Sequence, residues 1–229
     1  METSSNLNDI FRESAGAGFS RQDVPRALIE EILDLARRAP SGVNTQPWNV
    51  FVLQGQARAA LVACALARLP ELLATGLGRA AFWEQFNRHP GTAEWPGQGP
   101  QTTGDKHLSE ALAAADTDAT QAELQTYFRF CDAPTALMFT ISRDLGFGSL
   151  LDYGMFLQNI ALAGRARGLR TRVQAGWKGL SDSVLPRLGA PDDALLVCGM
   201  ALGYADTSQA STAMRVDAPP VASFTTWHT

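Results

Sequence analysis

The sequence predicts an α+β layered fold in which helices outnumber strands. Stretches with apolar residues at three-to-four spacing recur along the chain and read as helices. Four short apolar runs lie between them, at 49–54, 133–142, 169–176 and 194–204, and read as strands. No internal repeat and no convincing boundary divides the 229 residues, so one domain spanning 1–229 is expected.

Taken in order, residues 4–14 suit a short helix. "VPRALIEEILDLARRA" (24–39) is a strong helix: Leu28, Ile32, Leu35 and Ala39 share a face, and Pro25 suits a first-turn position. "RRAPSGVNTQPW" (37–48) follows, with two prolines and a row of small or polar residues. A plain turn needs two or three breakers; a loop this rich is shaped around something. "NVFVLQ" (49–54) is a short strand and "QARAALVACALARLPELLA" (56–74) a helix. Residues 76–118 are the least regular part, dense in Gly and Pro at 89–104, and form an excursion or lid.

Order returns with a helix at 118–130 and the strand 133–142. Residues 149–169 are helical and apolar on nearly every face, so core or a second subunit must cover them all round. After the strand at 169–176 comes "SDSVLPRLG", a helix with Ser181 as its cap. The strand 194–204 is apolar enough to be buried. In the C-terminal extension, 205–229, "VASFTTW" (221–227) could be an edge strand added to a partner's sheet.

Composition narrows function. Apolar residues make up 45% and the net charge is -4, which disfavours a nucleic-acid or anionic-membrane surface. No apolar run reaches the roughly 20 residues of a membrane helix. The start, "METSSNLNDI", lacks the pattern of a secretory signal, so a cytoplasmic protein is expected. Cys64, Cys131 and Cys198 are far apart in apolar runs and read as buried free thiols. His89, His107 and His228 have no metal-ligand spacing. "GAG" (16–18), "GLGRAA" (76–81) and "GFGSLL" (146–151) lack the strand or the following acidic residue of a dinucleotide loop. Ser41 has no nucleophile-elbow context.

"ARRAPSGVNTQPWNVFVL" resembles the signature of the nitroreductase family. "FRFCDAPTALMFTI", "SLLDYGMFLQNIALAGRARGLRT" and "LPRLGAPDDALLVCGMALGYAD" resemble its later blocks in the right order, in the form of the nitrobenzoate-reductase branch. The resemblance runs from about residue 10 to the tail and misses only the excursion. It implies a central, mostly antiparallel sheet flanked by helices and an intertwined homodimer with an FMN site at each interface. The extension at 205–229 would then reach the partner.

By the same resemblance, Pro40, Ser41, Gly42 and Asn44 of one subunit line the flavin, while Gln46 and Trp48 brace the loop. Gln174, Ala175 and Gly176 align with the segment whose backbone N–H faces flavin N5, Ala175 or Gly176 being the donor. Asp152, Gln158 and Asn159 are read mainly as capping and interface groups. NAD(P)H is the transient hydride donor, and a nitroaromatic, quinone or related aromatic compound the acceptor. No catalytic side chain is assigned, because the cofactor carries the redox chemistry. The excursion, with Phe82, Trp83, Phe86 and Trp95, is expected to cover the substrate.

Three positions depart from the family, one of them Thr212, which stands near the C-terminus where an Asn is usual. Arg12 and Ser14 match its N-terminal cofactor run, but Gly16 stands where a second basic residue is usual. Arg215 matches a C-terminal arginine, but Ala218 stands where the phosphate-gripping one is expected. Each charge-assisted bond is worth roughly 1.5–3 kcal/mol, so losing two weakens FMN about a hundredfold or more. Arg172 or Lys178 could compensate. Three readings stay open: an ordinary FMN enzyme, a diverged member using a phosphate-free flavin-like heterocycle in a specialised pathway, and a non-catalytic ligand-binding homologue.

Overall fold

Among the described residues, four antiparallel strands lie side by side in the order 49–54, 135–142, 194–204 and 169–174 and separate two helical layers. The computed structural model describes residues 18–74, 117–206 and 220–228. The expected helix at 4–14 and nearly all of the excursion lie outside them. The elements are α1 (Arg26–Ala36), β1 (Asn49–Gln54), α2 (Gly55–Ala74), α3 (Thr117–Phe128) and β2 (Thr135–Ser142). They continue with α4 (Phe147–Arg165), β3 (Leu169–Gln174), α5 (Ser181–Leu188) and β4 (Ala194–Tyr204). Among the described residues no helix is long and apolar enough to cross a membrane.

Side chains alternate across a strand, so β2 feeds two cores. Leu137, Phe139 and Ile141 face α1 and α4, meeting Ile29, Ile32, Tyr153, Phe156 and Ile160. Ala136 and Met138 face the other way, toward Leu61, Ala65 and Leu69 of α2 and toward Phe128, Trp177 and Val184. β4 follows the same rule with one interruption. The register jumps from Phe139↔Cys198 to Thr140↔Leu196, which makes Val197 an extra residue. A bulge inverts the facing of everything beyond it. Cys198 and Met200 therefore lie in the first core and Leu196 in the second, although all three numbers are even. The Tyr153 hydroxyl lies 3.0 Å from the carbonyl oxygens of both Thr140 and Asn49, where it can donate to either.

Several local expectations are corrected. Pro25 sits just before α1, in the N-cap position with extended ψ, because the helix begins at Arg26. Ser181 is the first residue of α5, not its cap: its hydroxyl donates to the Lys178 carbonyl at 2.6 Å instead of accepting an N–H. β3 ends at Gln174, where the chain tightens into a 3₁₀ turn, Ala175–Leu180. Residues 221–223 form another 3₁₀ turn, closed by the Phe224 N–H on Val221 O at 3.2 Å, and 224–228 are not a strand within the single chain. Only Cys198 of the three thiols is buried; Cys64 and Cys131 are half-buried, and all three are free. α4 buries one side on α1 and the sheet, while Leu151, Gly154 and Gln158 stand exposed on the other.

Candidate functional site

The loop between α1 and β1 has few backbone choices left. α1 closes with the Arg37 N–H on Leu33 O at 2.9 Å and the Ala39 N–H on Ala36 O at 3.0 Å. Pro40 cannot continue a helix, and the chain turns through Gly42–Asn44. The loop's own side chains then bind it. Ser41 Oγ accepts the Gln46 N–H at 2.9 Å, Thr45 Oγ1 donates to Gly42 O at 2.6 Å, and Gln46 Nε2 donates to Asn44 Oδ1 at 2.9 Å. Those bonds hold Val43, Asn44 and Gln46 at φ of 46°, 59° and 48°. Left-handed backbone is tolerable for Asn and strained for β-branched Val. Pro47 is buried, and Trp48 stacks on Phe156 with centroids 4.6 Å apart, so the indole that follows the loop anchors it to the core.

The loop is pinned from below by a residue 110 positions away. Asp152, 8% exposed in α4, accepts the Gly42 N–H through Oδ2 at 3.0 Å. Within the single chain this bond gives Asp152 a definite task beside the expected capping and interface roles: it holds the first N–H of the Gly42–Asn44 turn. Asn159 lies one face round, its Nδ2 donating to Ala36 O at 3.4 Å where α1 ends.

The second expected segment sits at the end of β3, against the opposite core. Fully buried Gln174 donates from Nε2 to Tyr127 O at 2.6 Å and accepts the Trp177 Nε1–H through Oε1 at 3.2 Å. The Gly176 N–H donates to Tyr127 Oη at 2.8 Å. Trp177, wholly buried, stacks on Phe130 at 4.6 Å and fits only because β4 carries Gly199 opposite. A Cβ there would lie 2.6 Å from the indole Cδ1. Burial pushes the Tyr127 phenol well above its ordinary value, so it stays protonated. Burial likewise raises the Cys131 thiol, against the pull of the Arg172 guanidinium. Cys131 Sγ lies 3.8 Å from Gln174 Nε2, within a run of three left-handed residues, Phe130 to Asp132.

The sequence-assigned residues therefore form two walls. Pro40, Ser41, Gly42 and Asn44 are together on the α1–α4 side, while Gln174, Ala175 and Gly176 are together on the α2–α3 side. No hydrogen bond joins the two walls among the described residues. Arg12, Ser14 and Arg215 lie outside the described residues, as do Gly16 and Ala218. Tyr127 escaped the sequence reading because nothing local marks it; its partner is 49 residues away.

A cavity of about 420 Å³ opens between the outer face of α4 and β3, lined by Gln158, Leu162, Arg165, Thr171, Arg172 and Val173. It holds none of the residues assigned to the flavin except the possible compensating Arg172, and it belongs to the bared α4 face.

The sequence profile of the nitroreductase family matches residues 12–204. A nitrobenzene nitroreductase of Ectopseudomonas oleovorans is 35% identical over 99% of both chains. A 4-nitrobenzoate reductase of Pseudomonas putida is 34% identical, over 94% of this chain and 92% of its own. The crystal structure of an FMN and NADPH-dependent nitroreductase, NfnB, from Sphigopyxis sp. strain HMH superimposes with a TM-score of 0.78 at 28% identity, over 97% of this chain and 98% of that one. With a profile spanning most of its length and relatives a third identical end to end, the chain belongs to the nitroreductase family, in its nitrobenzene- and nitrobenzoate-reductase branch.

Proposed function

We propose that this protein is a homodimeric, FMN-dependent oxidoreductase that takes a hydride from NAD(P)H and reduces a nitroaromatic acceptor. Bound FMN supplies a two-electron relay between the two substrates, so that a nitro group, NAD(P)H and a proton yield a nitroso group, NAD(P)+ and water. The carrying observation is the end-to-end likeness to nitrobenzene and 4-nitrobenzoate reductases.

The residues fit a flat heterocycle. A Cβ on Gly42 would meet nothing of the protein nearer than Asp152 Oδ2 at 3.8 Å, so the fold itself leaves room for a side chain there. A ring lying against the loop would use that space. Asn44 commits its carbonyl to Gln46, which leaves its amide N–H groups for a ligand. At the other wall the Gly176 N–H is engaged by Tyr127, and Ala175 begins a 3₁₀ turn, whose first N–H has no acceptor within the turn. Of the two candidates, Ala175 is thus the donor toward N5. Pro40 and Ser41 shape the first wall. Arg12, Ser14 and Arg215 serve the phosphate and pyrimidine ends.

A second copy closes the site in this reading. The two walls sit on opposite faces of one sheet, and Leu151 of α4 and Val173 of β3 are both exposed, Leu151 to 66%. Phe224 and Trp227 of the extension are 68% and 82% exposed, suited to lie on a partner. The excursion at 76–118 covers the acceptor. The protein acts in the cytoplasm, where NAD(P)H is available.

Purification tests the reading. A yellow dimer releasing FMN, and oxidising NADPH only when nitrobenzene or 4-nitrobenzoate is added, is the expected result. A colourless protein that neither takes up FMN nor oxidises NAD(P)H would overturn it. A released heterocycle lacking phosphate would instead assign the departures at Gly16 and Ala218 to a changed cofactor.

A further inference from the structure

We propose that Tyr127 is a positioning residue that selects which backbone N–H of the 174–177 turn faces the flavin; this rests on the FMN reading above. Two N–H groups, of Ala175 and Gly176, lie next to each other at the end of β3 and compete for one ligand atom. A turn free to rock would present either. Tyr127 removes one competitor, since its Oη accepts the Gly176 N–H at 2.8 Å. The same residue is fastened to the turn a second time, its main-chain oxygen accepting Gln174 Nε2–H at 2.6 Å. Gln174 in turn holds the Trp177 indole N–H through Oε1 at 3.2 Å, and Gly199 leaves the space the indole fills.

Three side chains thus close a ring of hydrogen bonds around a turn whose working group is a main-chain N–H. The last residue of α3 before Phe128 sets the donor, though it need never touch the cofactor. Positioning of this kind acts on the electronics of the ring, because the hydrogen bond at N5 stabilises one redox state over another.

Tyr127→Phe deletes the acceptor and keeps the ring. In apoprotein, the Gly176 amide of the variant should exchange with deuterium about tenfold faster, the effect of one lost hydrogen bond. In holoprotein, the midpoint potential of bound FMN should move, and kcat for NADPH oxidation should fall about tenfold while the FMN Kd stays within about threefold. para-Aminophenylalanine at 127, with the same shape and a poor acceptor, should behave as Phe and not as Tyr; it also guards against a variant that simply misfolds. Unchanged Gly176 exchange, potential and kcat in both variants would overturn the assignment. Wild-type protein that takes up no FMN would instead strike the functional reading, and is seen before any variant is made.

Discussion

Asp152 reaches from the first turns of α4 to hold the Gly42 N–H at 3.0 Å, tying the loop between α1 and β1 to the helix that carries the core. A carboxylate accepting a backbone N–H makes a charge-assisted bond worth roughly 1.5–3 kcal/mol. Asp152→Ala should raise the FMN dissociation constant about tenfold or more, and Asp152→Asn, which keeps an uncharged acceptor, by less. Fluorescence titration of apoprotein with FMN measures both. Equal affinity in all three proteins would mean the loop holds its shape unaided.

Gly199 has no room for a methyl group. Gly199→Ala sets a Cβ 2.6 Å from Trp177 Cδ1 and 3.1 Å from Phe130 Cε1, between two stacked rings. Overpacking of this kind costs about 1–3 kcal/mol. Urea unfolding should show that loss, and NADPH oxidation should fall with it because the displaced indole also holds Gln174.

Val43 is a β-branched residue in left-handed backbone with its side chain wholly exposed. Asn adopts that conformation more readily. Val43→Asn should stabilise the protein by about 1 kcal/mol in thermal or urea unfolding. A loss would mean the side chain packs on a second copy.

Stability should fall on the alkaline side. Burial raises the Cys198 thiol from 9.0 to about 12 and also raises the phenols of Tyr127 and Tyr153. Below pH 9 both folded and unfolded chains keep these protons. Between pH 9 and 12 the unfolded chain releases the Cys198 proton first, so stability drops by up to about 1.4 kcal/mol per pH unit from that group. Urea unfolding at pH 8 and pH 10.5 measures the slope. At neutral pH a thiol reagent should label Cys64 and Cys131 and reach Cys198 only after denaturation.

Leu151→Arg tests the second copy. Leu151 is 66% exposed in a single chain, so a lone subunit should tolerate the change. Sedimentation should give a monomer with little bound FMN. A yellow dimer would place the interface elsewhere.

Much of this was legible in the sequence, for local reasons. β1 and β4 run over 49–54 and 194–204 as their apolar runs indicate, and the rich loop begins at Arg37, where α1 has ended at Ala36. What the sequence hid depends on distance. The bulge at Val197 is a property of pairing with β2, and no alternation in "ALLVCGM" announces it. Ser181 looks like a cap, but Lys178 O captures its hydroxyl from the preceding turn. Tyr127 and Asp152 act on glycines 49 and 110 residues away, which no local pattern can register.

The sheet also works as a partition. Ile32 and Phe156 lie in the layer that carries the 40–44 loop, Leu61 and Val184 in the layer that carries the 174–177 turn, with four strands between. Substitutions that adjust ring fit from one layer should therefore combine with substitutions that adjust redox tuning from the other by simple addition of their free energies. A chain built this way can acquire a new acceptor and a new driving force in separate evolutionary steps.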